Sequence, residues 1–533
     1  NMNQRIRLLF TKALVAILLF VVGIFAVLSL FLTYTFPASY IETPRQSIVY
    51  VLLTAICCVA ILALLIKTLL LTKLNTVFDA LSERLFALVC ATICFGIALA
   101  WCVIAGCHPV ADQEAVLWLA AELHDGNYES FAGDSYLQRY PFQSGLVLLE
   151  CLWGSLFGFN NWITYRLFNC TMVFGTVIAL WGVTRLAFDD EKASKAVGFL
   201  LVCFVPFAAF SDFIYGNVPS LFFCSLAFFC QMKCLSRQNS PYLDKLHFAL
   251  YLGSLFIGLV FRLNSLIFVI ASAIVWIFAR TNLHFRTKLV ALVAILAIYY
   301  VAGHLPVAII EAITGIQLGS GIPKAAWVAM GMQESLRAPG WYNGFNETVW
   351  ANAVGDQTLA SELSLDSIKT SILFFLDNPG YALSFYAQKV TTQWFDPTFQ
   401  SLWVSFTGYG YSPQVGLPGI ADDLLSTSFL QASLCGGILR MLFILWCDVI
   451  QSLIYCFAFY GLWKSRKTIN PQQLLFGVAF LGGLLFHIVW EAKSCYTIPY
   501  FLMLLPYAAL GLVTVVNRKA PTLTLVSQCA SDL

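Results

Sequence analysis

Acidic residues are scarce in this chain, 28 of 533, so an Asp close behind an apolar run is a candidate for chemistry. Asp112 is such a residue. It follows the apolar run 86–105 and opens a stretch in which Val116, Leu119, Ala120 and Leu123 share one helical face. A helix of that kind lies in the headgroup plane of a membrane. Asp112 would then stand level with a lipid-borne reactive group, where a carboxylate can take a proton from an incoming hydroxyl. It could equally serve as an N-cap, a position that favours Asp. On local pattern the two readings are even. Glu114, two residues on, points away from Asp112 on a helix.

Other polar residues sit at comparable positions. Tyr136, Tyr140 and Gln143 follow in the same segment and suit contacts to a sugar, although Tyr is also an interfacial anchor. Asp212 lies at a span end, where it could orient a sugar or cap a loop. Arg262 and Lys493 end apolar runs and suit a phosphodiester, with snorkelling as the plainer reading. Glu491 stands beside Lys493, and Lys389, Trp394 and Asp396 close a helical stretch further up the chain. Trp394 could stack on a sugar or anchor at the membrane surface.

The elements that must position these residues are apolar. Hydrophobic residues make up 59% of the chain and charged ones 11%, and mean hydropathy is +0.79, against about 25% charge in a soluble domain. These values exclude a soluble enzyme, a disordered chain and a disulfide-stapled module. A net charge of +2 argues against a nucleic-acid binder. Most of the 17 Cys fall inside apolar runs and none has zinc-ligand spacing, so no structural metal is expected. The expected fold class is an all-α polytopic membrane protein with amphipathic juxtamembrane helices and an outer helical loop.

Twelve runs read as spans: 13–34, 47–66, 86–105, 162–183, 196–210, 218–234, 248–260, 265–278, 289–309, 441–462, 473–490 and 497–516. The first reads as an uncleaved anchor. With both termini inside, seven short cytoplasmic segments hold 20 of the 30 Lys and Arg residues, in accord with the positive-inside bias. Two long outer segments result, 107–161 and 311–440. In the second, Ser364 and Asp366 are expected to cap one helix, Asn378-Pro379-Gly380 to break it, and Leu383, Tyr386, Ala387 and Val390 to mark another. Both should lie on the membrane or cap the bundle. The expected organisation is an extra N-terminal pair of spans (1–84), a core (85–310), the outer loop (311–440), C-terminal spans (441–516) and a tail (517–533).

The order of the outer motifs carries a resemblance. Asp112-Gln113 opens a helix after a span, and Tyr136 precedes Tyr140-Pro-Phe-Gln143-Ser-Gly145. Phe261-Arg262-Leu-Asn264 lies between spans, Gly321-Ile-Pro323-Lys324 leads to Met330-Gly331-Met332, and Trp490-Glu491-Ala-Lys493 precedes the last span. This series, over residues 85–516, resembles the GT-C superfamily of polyprenyl-phosphate-sugar-dependent glycosyltransferases, in particular its bacterial mannosyltransferase-like members. The resemblance implies a GT-C-like fold in a bacterial cytoplasmic membrane, a site on the extracytoplasmic face, and Asp112 as catalytic base. It implies a polyprenyl-phosphate-linked sugar as donor, an extracytoplasmic glycan, lipid or protein as acceptor, and membrane lipid as surroundings. Arg262 and Lys493 would hold the donor phosphate. Tyr136, Tyr140, Gln143, Asp212, Glu491, Lys389 and Trp394 would line the substrate site. The family pattern has an Arg where this chain has Cys495, which puts more of the phosphate contact on Lys493 and Arg262. No cofactor is expected, and participation of a divalent cation is left open.

Two alternatives compete. An O-antigen-ligase or polymerase-like enzyme also has about twelve spans and a late outer loop, but would need a His there, and residues 311–440 contain none. A transporter would show two matching halves and ionisable groups at mid-membrane, whereas these span centres are nearly free of charge.

Overall fold

The computed structural model describes residues 2–37, 42–66, 69–106, 109–236, 241–279, 285–406 and 427–517. Among these the chain is predominantly helical, and its strands are a two-stranded hairpin pairing Tyr34–Thr35 with Arg45–Gln46. Every apolar run singled out above forms helix, which makes this an all-α membrane protein. Each of the twelve expected spans has a helical counterpart, though not all are of full length. Among the described residues eight helices are long and apolar enough to cross a bilayer, and a ninth candidate is the pair Glu191–Cys203 and Val205–Asp212, bent by 62°. Pro206 stands in the first turn of the second half, so the chain cannot run straight through the break.

Three further apolar helices are shorter: Ile48–Leu64, Leu263–Phe278 and Leu475–Val489. At 1.5 Å per residue, the 15 residues of Leu475–Val489 span roughly 22 Å, less than the roughly 30 Å hydrocarbon core. Such a helix must be carried by its neighbours. The helices Ile438–Ser465 and Leu505–Val516 cross so closely that a Cβ on Gly461 would meet the Tyr507 carbonyl at 2.1 Å. Small residues at such crossings let backbones touch where lipid supplies no hydrophobic drive.

The N-terminal helices are tied into the bundle by polar contacts. The Asp448 carboxylate accepts hydrogen bonds from Thr33 (2.8 Å) and Thr54 (2.7 Å), and Ser452 donates to the Ser29 carbonyl (3.0 Å). The hairpin that joins them packs Phe36 on Trp341, ring centroids 5.5 Å apart. It thereby enters the outer part of the molecule.

The late loop departs from expectation in two respects. The first of its two expected helices, Gln357–Asp377, begins before Ser364 because the Asp356 carboxylate accepts the Thr358 and Leu359 N–H groups. Ser364 instead bonds back to the Ala360 carbonyl inside that helix. The second, Pro379–Trp394, is exposed over its first turns only. It drives its C-terminal end into the bundle, where Trp394 packs on Phe25 (5.7 Å) and Phe480 (5.4 Å). The chain then turns through buried Phe395, Asp396 and Phe399 and leaves as the helix Ser401–Phe406. Phe399 and Gln400 take positive φ in this turn. Asp396 holds it by accepting from Thr398 N–H (3.0 Å) and hydroxyl (2.8 Å), Gln400 N–H (2.7 Å) and Ser494 hydroxyl (2.6 Å). Asp396 is therefore a strut, buried and fully partnered.

Backbone bonds join the expected outer segments to one another. Ile322 N–H donates to the Arg139 carbonyl (3.0 Å), and Ala492 N–H donates to the Gly340 carbonyl (2.8 Å). The first loop, the late loop and the segment before the last span thus meet at one end of the bundle.

Candidate active site

A cavity of about 1300 Å³ opens where these three segments meet. Asp112 stands on its wall. The helix Asp112–Asp125 starts after Ala111, whose φ of 56° turns the chain, so Asp112 is its first residue and not its N-cap. The Asp112 carboxylate remains solvent-accessible within the cavity and accepts a hydrogen bond from Tyr136. Surrounding protein raises its pKa by burial; Lys493 and the Tyr136 bond oppose the shift, and Glu347 and Glu42 add to it. The result is a carboxylate more basic than usual at the place where a base would act. Glu114 is exposed outside the cavity, as its helical spacing demands. The apolar face expected to enter lipid instead packs on protein: Val116, Leu119 and Ala120 are fully buried with Phe131, Leu146 and Ile310.

Behind Asp112 runs a chain of hydroxyls. Tyr136 is bonded to Tyr215, whose oxygen accepts from Gln143. The turn carrying Tyr215 is fixed from below. Asp212 pairs with Arg166 at 2.7 Å, each side chain 3% exposed, while Asn169 donates to the Ser211 (3.1 Å) and Phe213 (3.0 Å) carbonyls. Gln113 accepts the Ile214 N–H (2.9 Å). Asp212 therefore lies outside the cavity, and its visible role is to hold the turn that aims Tyr215.

The cations line the other side. Arg262 lies over the Tyr496 ring at 5.4 Å. Lys493 lies 4.8 Å over Trp403, and its ammonium is 2.5 Å from Glu42. Burial disfavours the charge on Lys493, but Glu42, Cys495 and Glu491 together outweigh it and the pKa ends above its usual value. Glu491 is pushed to about 7, chiefly by burial and against the pull of Lys493. Tyr140 donates to Glu347 at 3.0 Å. Stacked Trp327 and Trp490, with centroids 5.7 Å apart, and Tyr299, Gly303 and Val307 of the helix Phe285–Thr314 complete a more apolar wall.

Of the residues singled out from sequence, Asp112, Tyr136, Tyr140, Gln143, Arg262, Glu491 and Lys493 come together in this cavity. Asp212, Lys389 and Trp394 do not. Lys389 is fully buried and donates to the Gly331 and Ile488 carbonyls, pinning the Met330-Gly331 turn to the end of Leu475–Val489. Burial lowers its pKa to about 7. Trp394 belongs to the bundle core. Sequence reasoning missed Glu42, Tyr215, Arg337, Glu347 and Trp403, all cavity residues. Glu42 alone left a trace, as a carboxylate in the short segment between the first two apolar runs.

Fold and cavity define an all-α polytopic membrane protein with a polar site at one end of its bundle. No protein-family model matches the chain, and no curated protein matches it. Two solved structures are similar, both of an oligosaccharyltransferase from Archaeoglobus fulgidus. One is AglB in complex with an inhibitory peptide and a dolichol-phosphate, at 11% identity and TM-score 0.39, covering 81% of this chain and 50% of that one. The other is an apo form, at 12% identity and TM-score 0.40, covering 82% and 51%. This chain spans about half the length of those it matches.

Proposed function

We propose that the chain is an inverting GT-C glycosyltransferase that moves a hexose from a polyprenyl phosphate to a glycan, lipid or protein acceptor. Its site would face the extracytoplasmic side of a bacterial cytoplasmic membrane, opposite the basic loops. The carrying observation is that one cavity holds a solvent-accessible carboxylate of raised basicity, Asp112, together with the cations Arg262 and Lys493. General-base and phosphate-holding groups are what such a transfer needs, because the lipid phosphate is already a good leaving group.

The donor phosphate would lie against Arg262 and the open side of Lys493, with its isoprenoid tail along the apolar wall of Phe285–Thr314. The acceptor hydroxyl attacks the anomeric carbon from the face opposite the phosphate. Its proton passes to Asp112 as the new C–O bond forms, and the bond from the anomeric carbon to phosphate oxygen breaks. The lipid phosphate leaves with the electron pair, its charge met by Arg262 and Lys493. Tyr136 keeps Asp112 aimed, and Tyr140, Gln143 and Glu491 offer hydrogen bonds to sugar hydroxyls.

A structure of the protein with a polyprenyl-phosphate-sugar analogue tests the placement. The phosphate should bridge Arg262 and Lys493 with the sugar beside Asp112. A lipid bound only on the outer surface of the bundle, with the cavity holding water, would refute it.

A further inference from the structure

Glu42 is the one cavity residue contributed by the N-terminal hairpin among the described residues. Its two carboxylate oxygens meet two different cations: Oε1 is 2.5 Å from Lys493, and Oε2 is 3.1 Å from Arg337. The carboxylate is 2% exposed. It is held there by more than charge, since Phe36 packs against Trp341, Trp341 donates to Thr392 (2.9 Å), and Arg440 donates to the Phe36 carbonyl. A two-oxygen anion bridging an ammonium and a guanidinium is also the arrangement a phosphate would adopt.

We infer that Glu42 is a specificity-determining residue: it fills one anion position between Lys493 and Arg337, so the cluster admits a singly charged phosphodiester and disfavours a diphosphate. The inference rests on the donor reading above and deepens it. Arg262, Arg337 and Lys493 supply three positive charges on this side of the cavity. Glu42 cancels one by direct contact, and Asp112 and Glu491 also act on Lys493 through space. A sugar phosphodiester carries one negative charge, which Arg262 and the open side of Lys493 can meet without displacing Glu42. A sugar diphosphate carries two, and its second charge would be desolvated opposite the fixed Glu42 carboxylate.

The test is binding of a polyprenyl-monophosphate sugar and a polyprenyl-diphosphate sugar to the purified full-length chain, without acceptor, in wild type, Glu42→Gln, Glu42→Asp and the double variant Glu42→Gln/Arg337→Met. Wild type should prefer the monophosphate. Glu42→Gln should shift the ratio of affinities toward the diphosphate by about tenfold, the scale of one charge-assisted contact. Glu42→Asp should keep the wild-type ratio. The double variant should return toward it, because it restores the charge count without restoring the ion pair. An unchanged ratio in Glu42→Gln overturns the inference, as does a double variant that behaves like the single one, since only a structural role would produce that. If wild type binds neither lipid, the donor reading fails first and this inference falls with it. If wild type binds both equally and Glu42→Gln changes neither, the inference alone fails.

Discussion

Asp112→Asn should fold, bind donor and transfer almost no sugar, with the rate down about 10²–10⁴-fold, the usual contribution of a general base. The expectation is sharp because Asp112 stands one residue past the N-cap Ala111 and faces the cavity. The amide keeps the volume and can still accept the Tyr136 hydroxyl, but it cannot take a proton. Donor affinity should hold, since Arg262 and Lys493 are untouched. Glu114→Gln, outside the cavity on the same helix, is the matched control and should stay near wild type. The wild-type pH profile offers a second check. Burial raises the Asp112 pKa, and the base works only when ionised. Activity should therefore fall with decreasing pH through a midpoint above the usual Asp value of about 4. An Asp112→Asn variant that transfers sugar at a near-normal rate would remove Asp112 from the role of base.

Arg166→Met should be the most destabilising of the single substitutions considered. It strips Asp212 of its ion-pair partner, leaving only the Ser405 hydroxyl, in a place where each member of the pair is 3% exposed. Breaking a buried ion pair from one side costs about 3–5 kcal/mol, whereas replacing both partners by apolar groups is often tolerated. Thermal unfolding in detergent should accordingly show a large drop in Tm for Arg166→Met and substantial recovery in Arg166→Met/Asp212→Leu. The double variant should still lose part of its activity, because the turn that aims Tyr215 at Tyr136 keeps Asn169 and Gln113 but loses its charged anchor. Equal melting of the single and double variants would mean that the pair does not act as a buried charge lock.

The sequence and the structure agree most closely where the signal is local. Apolar runs bounded by Lys and Arg became helices, and the Asp112 helix begins at the expected residue. Asp112, Arg262 and Lys493 were legible as cavity residues because, on the side opposite the basic loops, few ionisable groups stand at the ends of apolar runs. Lys389 and Trp394 misled for a physical reason. A Lys and a Trp at the end of an amphipathic helix look the same whether that helix lies on a membrane or plunges into the bundle. Only the carbonyls of Gly331 and Ile488, distant in sequence, decide the case. Asp212 misled in the same way, since its partner Arg166 is hidden inside an apolar run. Glu42 and Arg337 could not be matched from sequence at all. They are 295 residues apart, and a contact between them follows from how the hairpin docks on the late loop, which no local pattern encodes.

The central claim is that this cavity exchanges a lipid phosphate for an acceptor hydroxyl at an anomeric carbon. The most direct measurement gives the purified protein a polyprenyl-phosphate hexose of defined anomeric configuration, labelled in the sugar, with a candidate acceptor, and follows both products by NMR. The account predicts free polyprenyl phosphate and a glycoside of the opposite configuration in equal amounts. A glycoside of retained configuration, or donor left unconsumed with every acceptor offered, would contradict it.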